Sequence, residues 1–261
     1  MTRILLTEGL NQLIVDEHTL SPIQIETSPK GTYQLVLNYQ SKEMIDIKVM
    51  VRPDANLSVF ISSDADQIHC VERYEVYRSA QLNLAYADLS NSKIKRVSSI
   101  HLIEEGAGVD LHSVALVNQD HEVQYIFEHE AEHTTGSMEN YAVIVEQGLL
   151  KLHAIGHIHK SAYFSETHQS TRVLSLANAQ KAVLYPQLII DNNEVLASHS
   201  ASTGQLDDEH LYYLESRGLN KQAAIRLVVQ GYLSSIADHI VDEGIKQSIL
   251  SMIERKVTQY V

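Results

Sequence analysis

Between Asp54 and Tyr185 the chain has no proline and no Asn-Gly or Asp-Gly pair, yet it is filled with short runs that alternate apolar and polar residues. In "VQYIFEHEAEH" (123–133), Val123, Tyr125 and Phe127 share one phase, and Gln124, Glu128 and Glu130 share the other. In "LLKLHAIGHIH" (149–159), Leu150, Leu152, Ala154, Gly156 and Ile158 form an inward phase, and Lys151, His153, Ile155, His157 and His159 an outward one. A period of two reads as half-buried strand. Antiparallel hairpins need tight turns, which such dipeptides usually mark. Many strands without that punctuation point to a coiled sheet, a parallel β-helix whose coils turn gently and stack on one another. No fixed-length repeat is visible, so a β-sandwich with long connections stays open as the alternative.

The period changes after residue 204. Asp207 and Asp208 suit a first helical turn, where carboxylates complement exposed N–H groups. Arg217-Gly218 supplies a cationic end followed by a glycine stop. Asn220 caps a second helix, with Ile225, Val228, Val229, Tyr232, Ile236 and Ile240 on one face. Ile245, Ile249, Ile253 and Val257 mark a third helical stretch. The expected organisation is a short N-terminal segment (1–30), a β-helix core (31–204) and a C-terminal helical subdomain (205–261).

The totals exclude several classes of function. With 20 Lys+Arg against 33 Asp+Glu the formal charge is −13, which argues against nucleic-acid and anionic-membrane partners. The single cysteine, Cys70, cannot close an intramolecular disulfide, which suits a reducing compartment. It lies in the alternating run "QIHCVERYE" and reads as a buried, inert thiol. No apolar run approaches the ~18–20 residues of a membrane span. A cytoplasmic location is expected. Phosphate-binding loops and the G-x-S-x-G elbow are absent.

Fourteen histidines invite a metal reading. His129 and His133 have helical ligand spacing, but on a strand they would stand ~13 Å apart. His157 and His159, two apart on one outward strand face at ~6–7 Å, are the pair able to share an ion. Two ligands make a weak site unless a neighbouring coil adds a third. The alternative is that these histidines are simply solvated outward residues. A metal-dependent enzyme on a β-solenoid is therefore the second functional reading, and a plain oligomeric structural module the third.

The segment 186–232, "PQLIIDNNEVLASHSASTGQLDDEHLYYLESRGLNKQAAIRLVVQGY", resembles the C-terminal hallmark of the SufB/SufD family of iron–sulfur cluster assembly proteins. Pro186, Leu188, Ile190, Val195, Ser198, His199, Ala201, Gly204, Leu206 and Asp207 fall on the family pattern, followed by Tyr213, Leu214, Ser216, Arg217 and Gly218. "HTTGS" (133–137) and Gln169 match its rhythm upstream, and the likeness covers roughly residues 95–255. The resemblance implies a right-handed parallel β-helix followed by C-terminal helices. It also implies a non-catalytic subunit that pairs with a SufB/SufD-type subunit, or with itself as a homodimer. The helices, with Asp207, Tyr213, Arg217 and Gly218, would dock a SufC-type ATPase.

Two departures from the family pattern carry information. Relatives usually have a longer N-terminal region with helices, where about thirty residues precede the strand-like part here. Ala197 stands where many SufD-like relatives have Cys. One thiolate cannot supply the set an iron–sulfur cluster normally needs. The expectation is an accessory, SufD-like role, with no cofactor held stably by the isolated chain and the cluster handled by the complex. His199 either caps polar groups where sheet meets helix or, near the pairing surface, acts as a transient iron ligand or proton acceptor. Its unperturbed pKa of ~6.5 keeps imidazole largely neutral near pH 7.

Overall fold

The computed structural model describes residues 2–176, 181–240 and 242–260. Sixteen strands follow one another: β1 (Thr2–Leu5), β2 (Gly9–Val15), β3 (Ile23–Glu26), β4 (Thr32–Tyr39), β5 (Met44–Val51), β6 (Asn56–Ser63), β7 (Gln67–Val76) and β8 (Gln81–Asp88). They continue with β9 (Lys93–Leu102), β10 (Gly108–Val117), β11 (Asp120–His129), β12 (Thr135–Ile144), β13 (Leu149–Ile158), β14 (Glu166–Ser175), β15 (Ala182–Ile190) and β16 (Leu196–Gln205). Odd strands form one eight-stranded sheet and even strands another. Neighbours such as β10 and β12, or β11 and β13, pair in parallel. The result is a β-solenoid of about seven turns, not a sandwich. Each internal strand, β3 to β14, pairs with the strands two before and two after it, so successive coils complete one another's backbone bonding.

The segment expected to stand apart at residues 1–30 belongs to this solenoid. β1 pairs with β3, and β3 with β5, so the first coil begins at Thr2. At four to seven residues, its strands are too short for their alternation to stand out in the sequence.

Coil length explains why no repeat was legible. Thr2 lies opposite Ile23, Asn56 opposite Gln81, and Leu150 opposite Ala182, so one turn consumes 21, then 25, then 32 residues. What recurs instead is a corner. Lys30, Asp54, Ser79, Gly106, His133 and Phe164 all have positive φ. Their N–H groups donate to Pro53, Arg78, Glu105, Glu132, Tyr163 and Glu194 carbonyls respectively, each one coil further on. Left-handed backbone costs an ordinary residue roughly 1–2 kcal/mol, and the column of stacked bonds holds it in place. Only one of the six is glycine, so turn chemistry left almost no mark on the sequence.

Inside, residues in register stack into columns. On the odd sheet one column runs Ile25, Val49, Tyr74, Ile100, Phe127, Gly156, Leu188. Gly156 is required by close approach: a Cβ there would sit 2.9 Å from Thr167 Oγ1. On the even sheet a column runs Leu35, Val59, Leu84, Leu111, Met138, Gln169, His199. Beside it, Leu37 and Ile61 give way to Tyr86, Ser113, Asn140, Thr171 and Ala201. The core thus turns from apolar to polar toward the last coils. Ser113 donates to Asn140 at 2.7 Å, and Asn140 to Thr171 at 3.2 Å.

Mid-solenoid, buried charged groups are held by partners on neighbouring strands. The Glu72 carboxylate accepts from Tyr39, Tyr86 and Ser98 hydroxyls at 2.5–2.6 Å. Arg96 donates twice to Asp88, at 2.6 and 3.0 Å, and stacks over the Tyr86 ring at 4.6 Å. Cys70 is buried here, and desolvation with nearby Glu72 pushes its thiol pKa well up. It is an inert core thiol.

After β16 come α1 (Asp208–Ser216), α2 (Lys221–Ser234), a 3-10 turn (Ser235–His239) and α3 (Glu243–Tyr260). The expected continuous helix to Ile240 therefore breaks at Ser235. The break lets Ile236 and Ile240 reach the apolar outer face of the even sheet, where Val229, Leu233, Ile249 and Ile253 also pack. That face is built from Phe60, Ala85, Val114, Leu116, Val143 and Leu174. A second buried layer explains why "LHSVALV" (111–117) does not alternate cleanly: both of its faces are covered.

Two predictions follow from this packing. Arg96→Leu leaves Asp88 buried without its partner and should lower unfolding free energy by about 3–5 kcal/mol in urea denaturation. Combined with Asp88→Leu, most of that loss should be recovered, because neither charge then remains unpaired. The second concerns His112, buried beneath the 3-10 turn, its ring stacked on His239 at 4.0 Å and its Nε2 3.2 Å from Ser235 Oγ. Burial, and secondarily the His239 charge, push its imidazole pKa down to about 3. Between about pH 3 and the ~6.5 of an unfolded histidine, the unfolded chain binds the extra proton. Stability should therefore fall as pH drops through this window, by at most ~1.4 kcal/mol per pH unit from this group. Denaturation midpoints from pH 7 to 4 should show a shallower slope in His112→Asn than in the parent chain.

Candidate functional site

β15 and β16 are the last strands of their sheets and have no further strand beside them. Their residues share the phases of the coils below but not their burial. Leu184, Pro186 and Leu188 continue interior columns above Leu152, Ala154 and Gly156, yet all are partly exposed. Every residue of β16 is exposed. Around this open end stand Tyr185, Ile189, Ile190, Leu196, Tyr163 and Phe164, all with large exposed apolar surface. An edge of this kind presents unpaired backbone groups together with core-phase side chains.

His199 lies in the middle of β16, six residues before the strand ends, so it does not cap the sheet–helix junction. It ends the column through Met138 and Gln169 and is exposed only because no coil lies above it. Gln169 is buried, its amide donating to the Gln187 carbonyl at 3.2 Å. Two small residues, Ala197 and Ala201, flank His199 on the same phase, leaving its ring room at the edge.

The four helix residues separate into different roles. Asp207 is the N-cap of α1 and accepts from Glu209 N–H at 2.9 Å. Arg217 is its C-cap, and Gly218 follows with φ +98. These three shape the helix ends. Tyr213 is 59% exposed and Tyr212 73%, so α1 presents both rings to solvent.

His157 projects from β13 on the outer face of the odd sheet and His159 follows just past the strand's end, their ring centroids 4.0 Å apart. The sequence reading missed what stands across from them. Glu128 on β11 is in register with His157, and its carboxylate lies 2.9 Å from His157 and 2.7 Å from His159. Alternation placed Glu128 on the outward phase, but only the coil register brings it to the pair. His129 is instead buried, hydrogen-bonded to Thr134 at 2.8 Å, and His133 occupies a corner with positive φ, so these two do not converge. A second group, His112, Glu139 and His239, joins the solenoid to the 3-10 turn.

The solenoid and its motif-bearing last coil agree with comparison to known proteins. The family model described as "SUF system FeS cluster assembly, SufBD core domain" matches residues 15–232. The chain belongs to the SufBD family. Among SufBD relatives, it is 38% identical over 120 residues to the iron-sulfur cluster assembly protein SufD of Bacillus subtilis, covering 44% of this chain and 28% of that protein. To SufD of Escherichia coli it is 23% identical over 171 residues, 65% of this chain and 40% of that protein. To a SufBD family protein of Pyrococcus horikoshii it is 27% identical over 188 residues, 71% and 42%. The matched part thus spans less than half the length of these SufBD proteins. No helix among the described residues is long and apolar enough to cross a membrane.

Proposed function

We propose that this SufBD family member is a non-catalytic, SufD-like subunit of the SUF iron–sulfur cluster assembly machinery, acting in the cytoplasm. The observation that carries this reading is the open last coil. Its two edge strands hold part of the family hallmark, with Pro186, Leu188, His199 and Ala201 in core phase and no coil to cover them. Such an edge is suited to β-augmentation by an equivalent edge, so the partner is a SufB-type subunit or a second copy of this chain. The role of the helices is docking of a SufC-type ATPase, for which the exposed Tyr212, Tyr213 and Leu227 supply apolar anchors. The chain's one thiol is buried and resists ionisation, which supports handling of the cluster by the assembled complex rather than by this subunit alone.

Copurification with the two partners tests both contacts. Inward lysines on the edge, Leu188→Lys with Ala201→Lys, should abolish pairing in size-exclusion chromatography with light scattering while leaving the far-UV spectrum unchanged. Tyr212→Glu with Leu227→Glu should leave pairing intact and lose the ATPase. Undiminished binding by either double variant refutes the contact it targets.

His199 gives a separate expectation. With its ring on the pairing edge, a partner could complete a ligand set around it. His199→Ala should fold and pair normally but slow cluster formation by the anaerobically reconstituted complex. Equal rates would reduce the residue to packing.

A further inference from the structure

One strand in from the open edge, the outer face of the odd sheet carries donors that the subunit reading does not use. Glu128 Oε2 lies 2.9 Å from His157 Nδ1 and 2.7 Å from His159 Nε2. One ligand atom from each of the three residues falls within 4.8 Å of the other two. The remaining ring nitrogen of His157, Nε2, faces Asp191 Oδ2 at 3.1 Å, just beyond the end of β15. The side chains of His157, Glu128 and His159 are 22%, 23% and 38% exposed, so the group is held by its neighbours yet open to solvent on one side.

We propose that Glu128, His157 and His159 form a binding site for a divalent first-row transition-metal ion, with Asp191 orienting the His157 ring. Two imidazoles and one carboxylate are a borderline donor set that suits zinc-class ions and not magnesium or calcium, which prefer oxygen alone. Asp191 accepts the Nε2 proton of His157, so when an ion takes the place of the proton between Nδ1 and Glu128 the ring is held in the tautomer that turns its Nδ1 lone pair to the metal. The ligands sit on adjacent coils of a rigid sheet, ~4.8 Å apart, so their convergence needs no loop rearrangement. A tetrahedral ion with ligands at ~2.0–2.1 Å holds its donors ~3.3 Å apart. The present separations are those of hydrogen bonds, and side-chain rotation of about half an ångström accommodates the ion in place of the shared protons. Two carboxylates beside two neutral rings balance the charge of a divalent cation. A solvent-facing coordination position remains.

The test is calorimetric titration of the untagged, chelator-stripped full chain with Zn2+, with Co2+ as a spectroscopic probe. One site should be found, with Co2+ visible bands of tetrahedral or five-coordinate geometry. Asp191→Asn should weaken Zn2+ binding by about 10–100-fold, the usual effect of losing an orienting partner. Glu128→Gln and His159→Ala, which remove ligands, should weaken it more. His153→Ala, on the same strand and face but stacked on Tyr185, should leave the affinity unchanged. Circular dichroism confirms that each variant is folded. The proposal is overturned if the parent chain binds Zn2+ no better than the His157→Ala, His159→Ala double variant. A Zn2+ site of unchanged affinity in that double variant would place binding elsewhere, such as at His112, Glu139 and His239, and would equally refute it.

Discussion

Every coil of this protein depends on the one below it for its backbone hydrogen bonds. In a parallel solenoid a strand cannot satisfy its N–H and C=O groups within its own turn of chain. It must find partners one coil away, and an unpaired buried amide is costly. The register therefore propagates from Thr2 to Gln205, and the column of left-handed corners from Lys30 to Phe164 propagates with it. Coil length varies because this rule binds register and corners rather than strand length. Most of the growth from 21 to 32 residues per coil is in the strands, which lengthen from four and seven residues in β1 and β2 to ten each in β13 and β14.

The same rule leaves an open edge at each end of the solenoid, on β1 and β2 and on β15 and β16. β15 and β16 satisfy one edge and leave the other open, while their side chains keep the interior phase of the columns beneath. Thus His199 stands above Gln169, and Leu188 above Gly156. A residue in core phase without a core above it is poorly placed in an isolated chain and well placed in an assembly. The gradient along the interior points the same way. Leucine and isoleucine fill the first coils, whereas Ser113, Asn140, Thr171 and Gln169 line the last. Below that polar zone, Glu72 is closed by tyrosine and serine hydroxyls, and Arg96 by the Asp88 carboxylate and the Tyr86 ring.

The helices solve a different problem. A solenoid sheet with an apolar outer face needs a cover, and α2, the 3-10 turn and α3 provide it over Phe60, Val114 and Val143. α1 takes no comparable part: of its nine residues only Leu211 is buried. That asymmetry separates a structural pair of helices from one that presents tyrosines to solvent.

Period-two alternation, missing hairpin signals and a change to helical spacing after residue 204 indicated a strand-rich core with a helical end, because side-chain phase on a strand is local, but they left a sandwich open beside the coiled parallel sheet until the family resemblance favoured the latter. The inward and outward phases of 149–158 and the caps at Asp207 and Asn220 were legible for the same reason. The hallmark at 186–218 carried the family. What the sequence could not hold was register. Residues 21 to 32 apart become neighbours only once corners and coils have stacked, and unequal coils erase any fixed period that would announce them. The first coil was hidden behind short strands, and the helix broke at Ser235 to fit a surface the sequence does not describe. Glu128 reaches His157 and His159, and His199 crowns an interior column, because hydrogen bonding between coils sets them there; alternation alone gives each residue a face, and only the stacked coils give it neighbours.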